Sequence, residues 1–461
     1  MIAIRKIFHK LLSSKIKEKK ELPMKKKKKK AKNPLHYIFI SYIIITFIFS
    51  FLYYLPFTRI SNISYIDSLF VSTSAISVTG LTTVNLVETF NVWGKILLMI
   101  QMEIGAIGIV VFISYGFMIL GIQITISNLL VVSKDQNQSS IKSIKRLSLS
   151  VLYTSLFFQF IGGLFFYSQF REKYDTALET LLVTAFHSIA SFTNTGFDLF
   201  GNSLISFQKN NLVLIVTAAL IFIGGLGYPT IMEYIYKYNK KKSLFTRINM
   251  RLHFSFMILG TIVFWLLERG HAFKHLNFFD QLTNSFFLSV TSRNGGYAPL
   301  DIAELTLPAI LILLVLMYIG GASSSAAGGI RLTTVSVLAA KMFSVIKSQD
   351  DTIIFRTSVK KEVVDRAFVI AMSFIILITV ATIMISIFEP FQLDLILLEA
   401  ISAITNTGLS LGITTNIHSE SKIILILLMF IGRIGIFTLI YFVLRVDNQK
   451  LKYVEKDLAV G

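Results

Sequence analysis

Eight long apolar runs are the feature that most constrains how this chain can fold. A helix needs about 20 mostly apolar residues to cross the hydrocarbon core of a bilayer. Of the 461 residues, 54% are hydrophobic and 15% are charged, whereas about a quarter of the residues in soluble domains are charged. The runs therefore predict one polytopic membrane domain. They lie near 36–57, 93–121, 147–170, 211–236, 249–268, 306–346, 367–389 and 421–444.

If the eight runs are taken as four successive pairs, one shorter apolar segment lies between the two runs of each pair. These four segments cover 66–78, 180–193, 280–292 and 394–405. Segments of about 12 to 14 residues are too short to span a bilayer and are typical of re-entrant helices. The predicted fold is therefore all-α, with eight transmembrane helices and four re-entrant helices.

Basic residues in the connecting segments predict the orientation. Lysine and arginine concentrate at 141–146, 237–247 and 341–361, in the tail after Arg445, and in a run of six lysines at 25–30. Cytoplasmic loops carry such an excess, so both termini are expected in the cytoplasm and the protein in the plasma membrane. This placement argues against nucleic-acid binding despite the formal charge of +19. The N-terminal lysines are either a solvated tail or a patch for anionic lipid.

A polar stretch with a glycine recurs four times, each time directly after one of the shorter segments. Aligned on the glycine, the copies read S-V-T-G-L (77–81), T-N-T-G-F (193–197), R-N-G-G-Y (293–297) and T-N-T-G-L (405–409). A second motif follows each copy and reads I-G-A-I-G (104–108), I-G-G-L-G (223–227), I-G-G-A-S (319–323) and I-G-R-I-G (431–435).

Two motifs that recur in the same order indicate four copies of one structural unit. The sixth apolar run is interrupted by G-G-A-S-S-S-A-A-G-G, so a helix, a break and a second helix are expected there. The predicted organisation is a basic tail at 1–35, repeats at 36–121, 147–237, 248–347 (with the break at 320–329) and 367–444, and a cytoplasmic tail at 445–461.

The polar stretches have the composition of an ion site. Non-helical backbone at membrane depth is tolerated only where it is buried in protein or lines a water-filled cavity. Glycine permits a positive φ, which lets successive carbonyl groups point the same way. Four such stretches around one axis would replace the hydration shell of a monovalent cation. The alternative, that the glycines serve close helix packing, stays open for the second motif above all.

At these residues the chain resembles the Trk/Ktr/HKT superfamily of potassium transporters, and most closely the membrane subunit of Ktr systems. The resemblance extends from about residue 36 onward. It rests on the four glycine stretches together with I-F-I-G-G-L-G-Y-P (221–229), M-Y-I-G-G-A-S-S-S-A-A-G-G-I-R (317–331) and M-F-I-G-R-I-G (429–435).

The resemblance implies a pseudo-fourfold pore within one subunit, with a K⁺ selectivity filter and an intramembrane gate beneath it. The implied filter residues are Ser77, Val78, Thr79, Gly80, Thr193, Asn194, Thr195, Gly196, Arg293, Asn294, Gly295, Gly296, Thr405, Asn406, Thr407 and Gly408. The implied gate residues are Gly320, Gly321, Ser323, Ser324, Ser325, Gly328, Gly329 and Arg433.

The residues themselves agree with a gate at this place. An ionisable group inside a span is costly and usually faces a cavity, and Arg433 sits in the middle of the last apolar run. Its charge would oppose ion occupancy below the filter. The alternatives are a buried arginine paired with Glu103 or Glu233, and a static kink at 320–329.

Five positions depart from the pattern of the other copies or of the family. Val78 stands where the other copies have asparagine, and Ala326 and Ile436 replace a threonine and a proline that are common in the family. In the third copy, Gly295 doubles the filter glycine and Arg293 stands where the other copies have Ser or Thr. Arginine is common there in the family, so Arg293 is interpreted as an anchor behind the filter. In plant relatives, serine at the first filter glycine accompanies sodium preference; since Gly80 is glycine, potassium is the expected ion, with sodium as an assisting ion.

The expected partners and cofactors follow from the resemblance. It implies a homodimer controlled by a cytosolic ring of nucleotide-binding subunits, so that ATP or ADP acts only through that partner. The chain has no cysteine and no Walker A sequence, and no bound cofactor is expected.

Two other classes of function were weighed. For a membrane-embedded enzyme the candidate residues are His187 and Glu399, for which a hydrogen-bonded place behind the filter is the preferred interpretation. A coupled solute carrier would show two inverted repeats rather than four parallel copies. An ion pathway, not an enzyme, is the prediction.

Overall fold

The computed structural model describes residues 34–108, 141–235 and 242–436. Residues 1–33 of the predicted N-terminal tail, the C-terminal tail at 445–461, residues 237–241 of the basic segment, and residues 109–121 and 437–444 of two apolar runs lie outside these ranges. The helices are α1 Pro34–Tyr54, α2 Tyr65–Ser77, α3 Leu86–Thr89, α4 Val92–Ile107, α5 Ile141–Phe170, α6 Ala177–Phe192, α7 Asn211–Gly225, α8 Tyr228–Ile235, α9 Leu244–Glu268, α10 Phe278–Thr291, α11 Leu307–Tyr318, α12 Leu332–Ile346, α13 Lys361–Phe388, α14 Leu393–Thr405 and α15 Ser419–Ile434.

Several helices have the length and composition of membrane spans. In the described ranges, Ser150–Phe170 within α5, all of α9 and all of α13 are long and apolar enough to cross a bilayer. The pair α7 and α8 passes the same test together but is bent by 97°. Side chains such as Phe160 (67% exposed) and Ile387 (73%) point outward from these helices, which suits contact with lipid rather than water.

Three apolar runs differ from the continuous helices that were predicted. The run at 211–236 is broken at Gly227, where φ is +83°. The helices of the second and eighth runs end at Gly108 (φ +96°) and Gly435 (φ +87°). Each glycine is the last residue of the second motif. Glycine adopts this left-handed backbone without steric cost. The second motif therefore ends a helix, in addition to any role in helix packing.

Four helices lead into the polar glycine stretches, namely α2, α6, α10 and α14, and are called the short helices below. They form for local reasons. Ser64, Thr176 and Asn277 each accept a hydrogen bond from a main-chain N–H in the first turn of the following helix, which satisfies a group that the helix leaves unpaired. Every short helix also has an acidic residue in its first turn, where the helix dipole favours negative charge. Their buried faces supply much of the two largest hydrophobic clusters.

Helix contacts divide the fold into four consecutive groups: group 1 is α1–α4, group 2 is α5–α8, group 3 is α9–α12 and group 4 is α13–α15. The short helix of each group packs against the long helix before it. Contacts between groups run in a cycle, because α4 packs on α6, α7 on α10, α11 on α14, and α15 on α2. The first and last groups therefore touch, and the groups form a closed ring.

In groups 3 and 4, a glutamate at the end of the first helix accepts a hydrogen bond from the residue that precedes a later helix of the same group. Glu268 accepts a hydrogen bond from the N–H of Thr306 at 2.9 Å, and Glu389 accepts one from the N–H of His418 at 2.7 Å. Both donors are the N-cap residues of the helices that follow, α11 and α15.

One element was not predicted for an all-α chain. Thr352–Ile354 and Thr357–Val359 pair as an antiparallel β-hairpin (β1 and β2) within the basic segment 341–361. The hairpin packs against α12, and the guanidinium of Arg251 on α9 lies 4.3 Å from the ring centroid of Phe355 at its turn. The segment is thus an ordered connection rather than a loop.

Candidate ion pathway

The four glycines of the polar stretches lie against one another. A Cβ atom added at Gly80 would overlap the main-chain oxygen of Thr195, and one at Gly408 would overlap that of Thr79. A Cβ at Gly196 would lie 2.5 Å from the Cα of Gly296, and one at Gly296 would lie 3.0 Å from the oxygen of Thr407. The stretches of groups 1, 2, 3 and 4 thus meet in that order around one centre, with no room for a side chain at any of the four glycines.

The four stretches share one backbone conformation. Each glycine has a positive φ, between +75° and +97°. The residue two positions earlier is also left-handed in every copy: Val78, Asn194, Asn294 and Asn406. Asparagine tolerates this region, whereas a β-branched residue there is an outlier. Val78 therefore adopts, at a cost, the shape that its three counterparts adopt readily.

The amide groups of the stretches turn back to their own short helices. The N–H groups of Thr79, Thr195 and Thr407 each donate at 2.9 Å to a main-chain oxygen five residues earlier. Those of Gly80 and Gly408 donate to serine hydroxyls at 3.0 Å. Within the described residues nothing donates to the carbonyl oxygens of Thr79, Thr195 and Thr407. These oxygens lie at the common centre and are free to coordinate a cation.

The third stretch departs from the other three. The side chain of Arg293 reaches α9, where Nη2 lies 3.4 Å from the carbonyl oxygen of His253. Nδ2 of Asn294 donates to the carbonyl oxygens of Thr405 (2.5 Å) and Asn406 (3.1 Å). Asn294 therefore ties group 3 to group 4 and occupies two oxygens of the fourth stretch that would otherwise be free.

The second motif packs on the first. A Cβ at Gly105, Gly224 or Gly432 would overlap the carbonyl oxygen of the residue four places before the stretch glycine, namely Ile76, Phe192 and Ile404. These glycines allow α4, α7 and α15 to touch the ends of the short helices directly. In groups 1, 2 and 4 the geometry thus supports the packing interpretation of this motif.

The predicted gate loop lies beside the fourth stretch. A Cβ at Gly328 would overlap the carbonyl oxygen of Thr405. The N–H groups of Ala322 and Ala326 donate to Gly225 and Gly224 of group 2, at 3.1 and 3.3 Å. Within the loop, Ser325 donates to Ala322 at 2.7 Å. The loop of group 3 is therefore held by groups 2 and 4.

Arg433 joins that loop to group 1. Its Nη1 donates to the carbonyl oxygen of Ala326 at 2.6 Å, and its Nη2 donates to that of Gly105. The proposed carboxylate partners are bonded elsewhere. Glu103 accepts from Ser155 on α5 and Glu233 accepts from the residues that begin α9, so the ion-pair alternative does not hold among the described residues.

Sequence reasoning overlooked Arg331. It follows the loop immediately, and its Nη1 donates to the carbonyl oxygen of Ala327 and lies 3.4 Å from that of Ala322. Two arginines thus hold one loop of small residues. The signal was present in the sequence, because Arg331 is the first charged residue after the interruption of an apolar run.

The two residues weighed as catalytic candidates lie behind the stretches. Nε2 of His187 is 3.0 Å from the hydroxyl of Thr217, and its ring is packed among aromatic rings that include Phe166 and Tyr297. Glu399 contacts the hydroxyls of Ser410 and Thr414. Neither residue faces the common centre, and they are in different groups.

An ion pair closes the ring between groups 4 and 1, and breaking it gives a testable prediction. Nζ of Lys422 on α15 lies 2.7 Å from Oδ1 of Asp67 on α2. Replacing Lys422 with methionine is expected to destabilise the protein by about 1–3 kcal/mol, because a largely buried carboxylate loses its charged donor. Thermal unfolding of the purified protein in detergent measures this loss.

The matched control is the reversed pair, Asp67→Lys with Lys422→Asp, which should recover part of the lost stability. Contacting residues show coupling of this kind in double-mutant cycles. Additive losses in the two single variants, with no recovery in the reversed pair, would show that the contact does not join the groups.

Comparisons with known proteins find relatives among cation transport proteins. A sequence model of the TrkH family, described as cation transport protein, matches residues 2–452. Ktr system potassium uptake protein D of Bacillus subtilis is 34% identical over 402 residues, which cover 86% of this chain and 90% of that protein. Potassium/sodium uptake protein NtpJ of Enterococcus hirae is 32% identical over 449 residues, which cover 95% and 99%.

A solved structure shares the fold. The crystal structure of the potassium transporter TrkH from Vibrio parahaemolyticus matches with a TM-score of 0.71 and 18% sequence identity, over 90% of this chain and 86% of that one. Fold and relatives together define the class as a polytopic helical membrane protein that transports cations. The chain belongs to the TrkH family of cation transport proteins, and the predicted resemblance to Trk and Ktr potassium transporters is confirmed.

Proposed function

We propose that this chain is the ion-conducting subunit of a potassium uptake system, in which K⁺ passes through a filter of backbone carbonyl groups. The observation that carries the proposal is the closed ring of glycines with the unpaired oxygens of Thr79, Thr195 and Thr407 beside it. Rings of backbone carbonyls replace the water around a dehydrated cation. No step of the proposal needs catalytic chemistry or a bound cofactor.

The four helix groups are interpreted as the four repeats, each with two spans and a re-entrant pore helix. The cyclic contacts between groups support a pseudo-fourfold axis within one subunit. The C-terminal ends of the short helices point to the common centre, where the helix dipole favours a cation. The proposed topology has eight spans in the plasma membrane, with both termini in the cytoplasm.

The loop at 320–329 is proposed as the gate, held closed by Arg433. Glycine, alanine and serine give the loop little bulk and many accessible backbone states. Arg433 contributes a positive charge beside the loop and two hydrogen bonds across groups. Release of those bonds would let the loop leave the pathway.

Partners are proposed from the relatives. The names of the relatives describe parts of Ktr systems and a potassium/sodium uptake protein. We therefore expect a cytosolic nucleotide-binding subunit to control this chain, a homodimer as the membrane assembly, and sodium as an assisting ion. The ordered β-hairpin at 352–359 adds a rigid element to the basic segment on the proposed inner face.

Expression in a bacterial host that lacks its own potassium uptake tests the proposed function. The chain, together with a Ktr-type regulatory subunit, is expected to restore growth at limiting K⁺ and to raise Rb⁺ uptake at least tenfold over the empty host. Membrane insertion is checked by immunoblot. A chain that is present in the membrane but passes neither K⁺ nor Rb⁺ would refute the proposal.

A further inference from the structure

Glu399 is a buried acid that the proposed pathway leaves without a role. It lies on α14, nine residues before Gly408, and only 1% of its surface is exposed. Among the described residues no lysine, arginine or histidine forms an ion pair with it. A buried carboxyl group is costly unless hydrogen bonds compensate it, so the contacts that it makes indicate what it does.

Two hydroxyl groups contact the same oxygen of Glu399. Ser410 and Thr414 both donate to Oε1, the latter at 2.9 Å. The two hydroxyls are also 2.9 Å apart, and that of Ser410 accepts the N–H of Gly412 at 2.9 Å. Glu399 therefore binds the segment that directly follows the fourth glycine stretch to the short helix behind it.

The same short helix also holds the stretch from the other side. The N–H of Thr407 donates to the carbonyl oxygen of Ser402 at 2.9 Å, and the N–H of Gly408 donates to its hydroxyl at 3.0 Å. Gly408 thus lies between two attachments to α14, at Ser402 and at Glu399. Its position relative to the oxygen of Thr79 depends on both.

Group 2 lies across the ring from group 4. It also has a carboxylate that binds the segment after its glycine stretch, but at a different position in the sequence. Asp198 occupies the position that Ser410 has in group 4, two residues after the stretch glycine. Its Oδ1 accepts the N–H groups of Phe200 and Gly201 at 2.8 and 2.7 Å. A carboxylate thus holds the segment after the stretch in both groups, from the loop in one and from the helix in the other.

We propose that Glu399 is a positioning residue for ion selectivity, which fixes the outer rim of the fourth stretch by accepting the hydrogen bonds of Ser410 and Thr414. The inference rests on the proposed potassium pathway and adds a determinant behind it. A binding site loses function when its supporting residues let it move by about 0.5 Å or more. Without the acceptor at Glu399, the rim and the carbonyl groups at Gly408 are free to shift.

The test compares Glu399→Ala with Glu399→Gln in the full-length protein, co-expressed with its regulatory subunit. Uptake of Rb⁺ and of Na⁺ is measured in the same membranes. The alanine variant is expected to lose at least tenfold in Rb⁺ over Na⁺ selectivity. The glutamine variant should stay within about twofold of wild type, because its amide oxygen accepts the same two hydroxyl hydrogens. Glu420→Ala, at an exposed acid on α15, is the matched control.

A relocation variant sharpens the comparison. Glu399→Ala combined with Ser410→Asp places the carboxylate where group 2 has Asp198, and it is expected to recover part of the selectivity. Where Glu399→Ala does not reach the membrane, the pair Ser410→Ala and Thr414→Ala removes the same hydrogen bonds and should lower selectivity equally.

Unchanged selectivity in Glu399→Ala, or in the double hydroxyl variant, would overturn the inference. So would a glutamine variant as impaired as alanine, because charge rather than hydrogen-bond acceptance would then be the cause. Failure of the wild-type protein to pass Rb⁺ would instead refute the proposed function. If wild type is selective and Gly408→Ser is not, while Glu399→Ala equals wild type, only the role of Glu399 is lost.

Discussion

Replacing Gly408 with serine is expected to lower potassium uptake at least tenfold and to abolish the preference for potassium over sodium. Gly408 has a φ of +88°, and a Cβ there would overlap the carbonyl oxygen of Thr79. The left-handed region alone costs an ordinary residue roughly 1–2 kcal/mol. The overlap must also push the first stretch away, which enlarges the ring of oxygens. Uptake of Rb⁺ at limiting concentration, with and without competing Na⁺, measures both effects.

Gly201→Ser is the matched control for this prediction. Gly201 has nearly the same φ, +85°, but a Cβ there meets only the amide nitrogen of Asn85 at 3.7 Å. The control therefore carries the backbone strain without the overlap at the common centre. It is expected to retain wild-type selectivity. Wild-type uptake and potassium preference in Gly408→Ser would show that the four glycines do not form the filter.

Replacing Arg433 with glutamine is expected to raise potassium flux about tenfold when the regulatory subunit is absent. Arg433 donates to the carbonyl oxygens of Ala326 in the gate loop and Gly105 in group 1. A hydrogen bond from a charged donor contributes about 1.5–3 kcal/mol, and 1.4 kcal/mol corresponds to a factor of ten in an equilibrium. Loss of these bonds therefore shifts the loop out of its closed position. Rb⁺ flux into proteoliposomes measures the change.

Two further variants show how Arg433 acts. Arg433→Lys keeps the charge but lacks the planar fork that reaches two acceptors. If Arg433 closes the gate by bridging the loop and group 1, the lysine variant is expected to show high flux. If it acts by its charge alone, the flux is expected to stay near wild type. Arg366→Gln removes an exposed arginine on α13 and should change nothing. Flux through Arg433→Gln that equals wild type would refute a gating role for this residue.

Much of the helical framework could be predicted from the sequence. The short segment predicted at 66–78 is the helix Tyr65–Ser77, and the one at 394–405 is Leu393–Thr405. Each segment is marked by its apolar length and by the polar glycine stretch that ends it. Both are local properties of the sequence, so they can be recognised without tertiary contacts. The positive φ of the four stretch glycines was equally predictable, because glycine accepts left-handed backbone, whereas the left-handed conformation of Val78 was not.

The breaks in the long helices were harder to predict. Composition alone favours a continuous helix at 211–236, but the chain bends by 97° after Gly225. The carbonyl groups of Gly224 and Gly225 bind the gate loop instead. N–H donors that lie about 100 residues further along the chain cannot be inferred from local periodicity.

The partners of Arg433 show the same limit most clearly. The sequence predicted a buried arginine with a role and offered two carboxylates as its partners. The tertiary structure instead brings to it two main-chain oxygens, 107 and 328 positions away. Every residue has a main-chain carbonyl group. The sequence therefore does not show which carbonyl groups accept hydrogen bonds from Arg433.

The sequence by itself determined that this chain is a membrane protein with four glycine-bearing stretches, because hydrophobic length and backbone permissiveness are properties of the residues themselves. Only the tertiary structure decided that the stretches meet at one centre, that Asn294 occupies two oxygens of its neighbour, and that Glu399 holds the outer rim of the fourth stretch. These features depend on which surfaces the four helix groups present to one another once they pack into a ring, and that choice is made by the whole chain together.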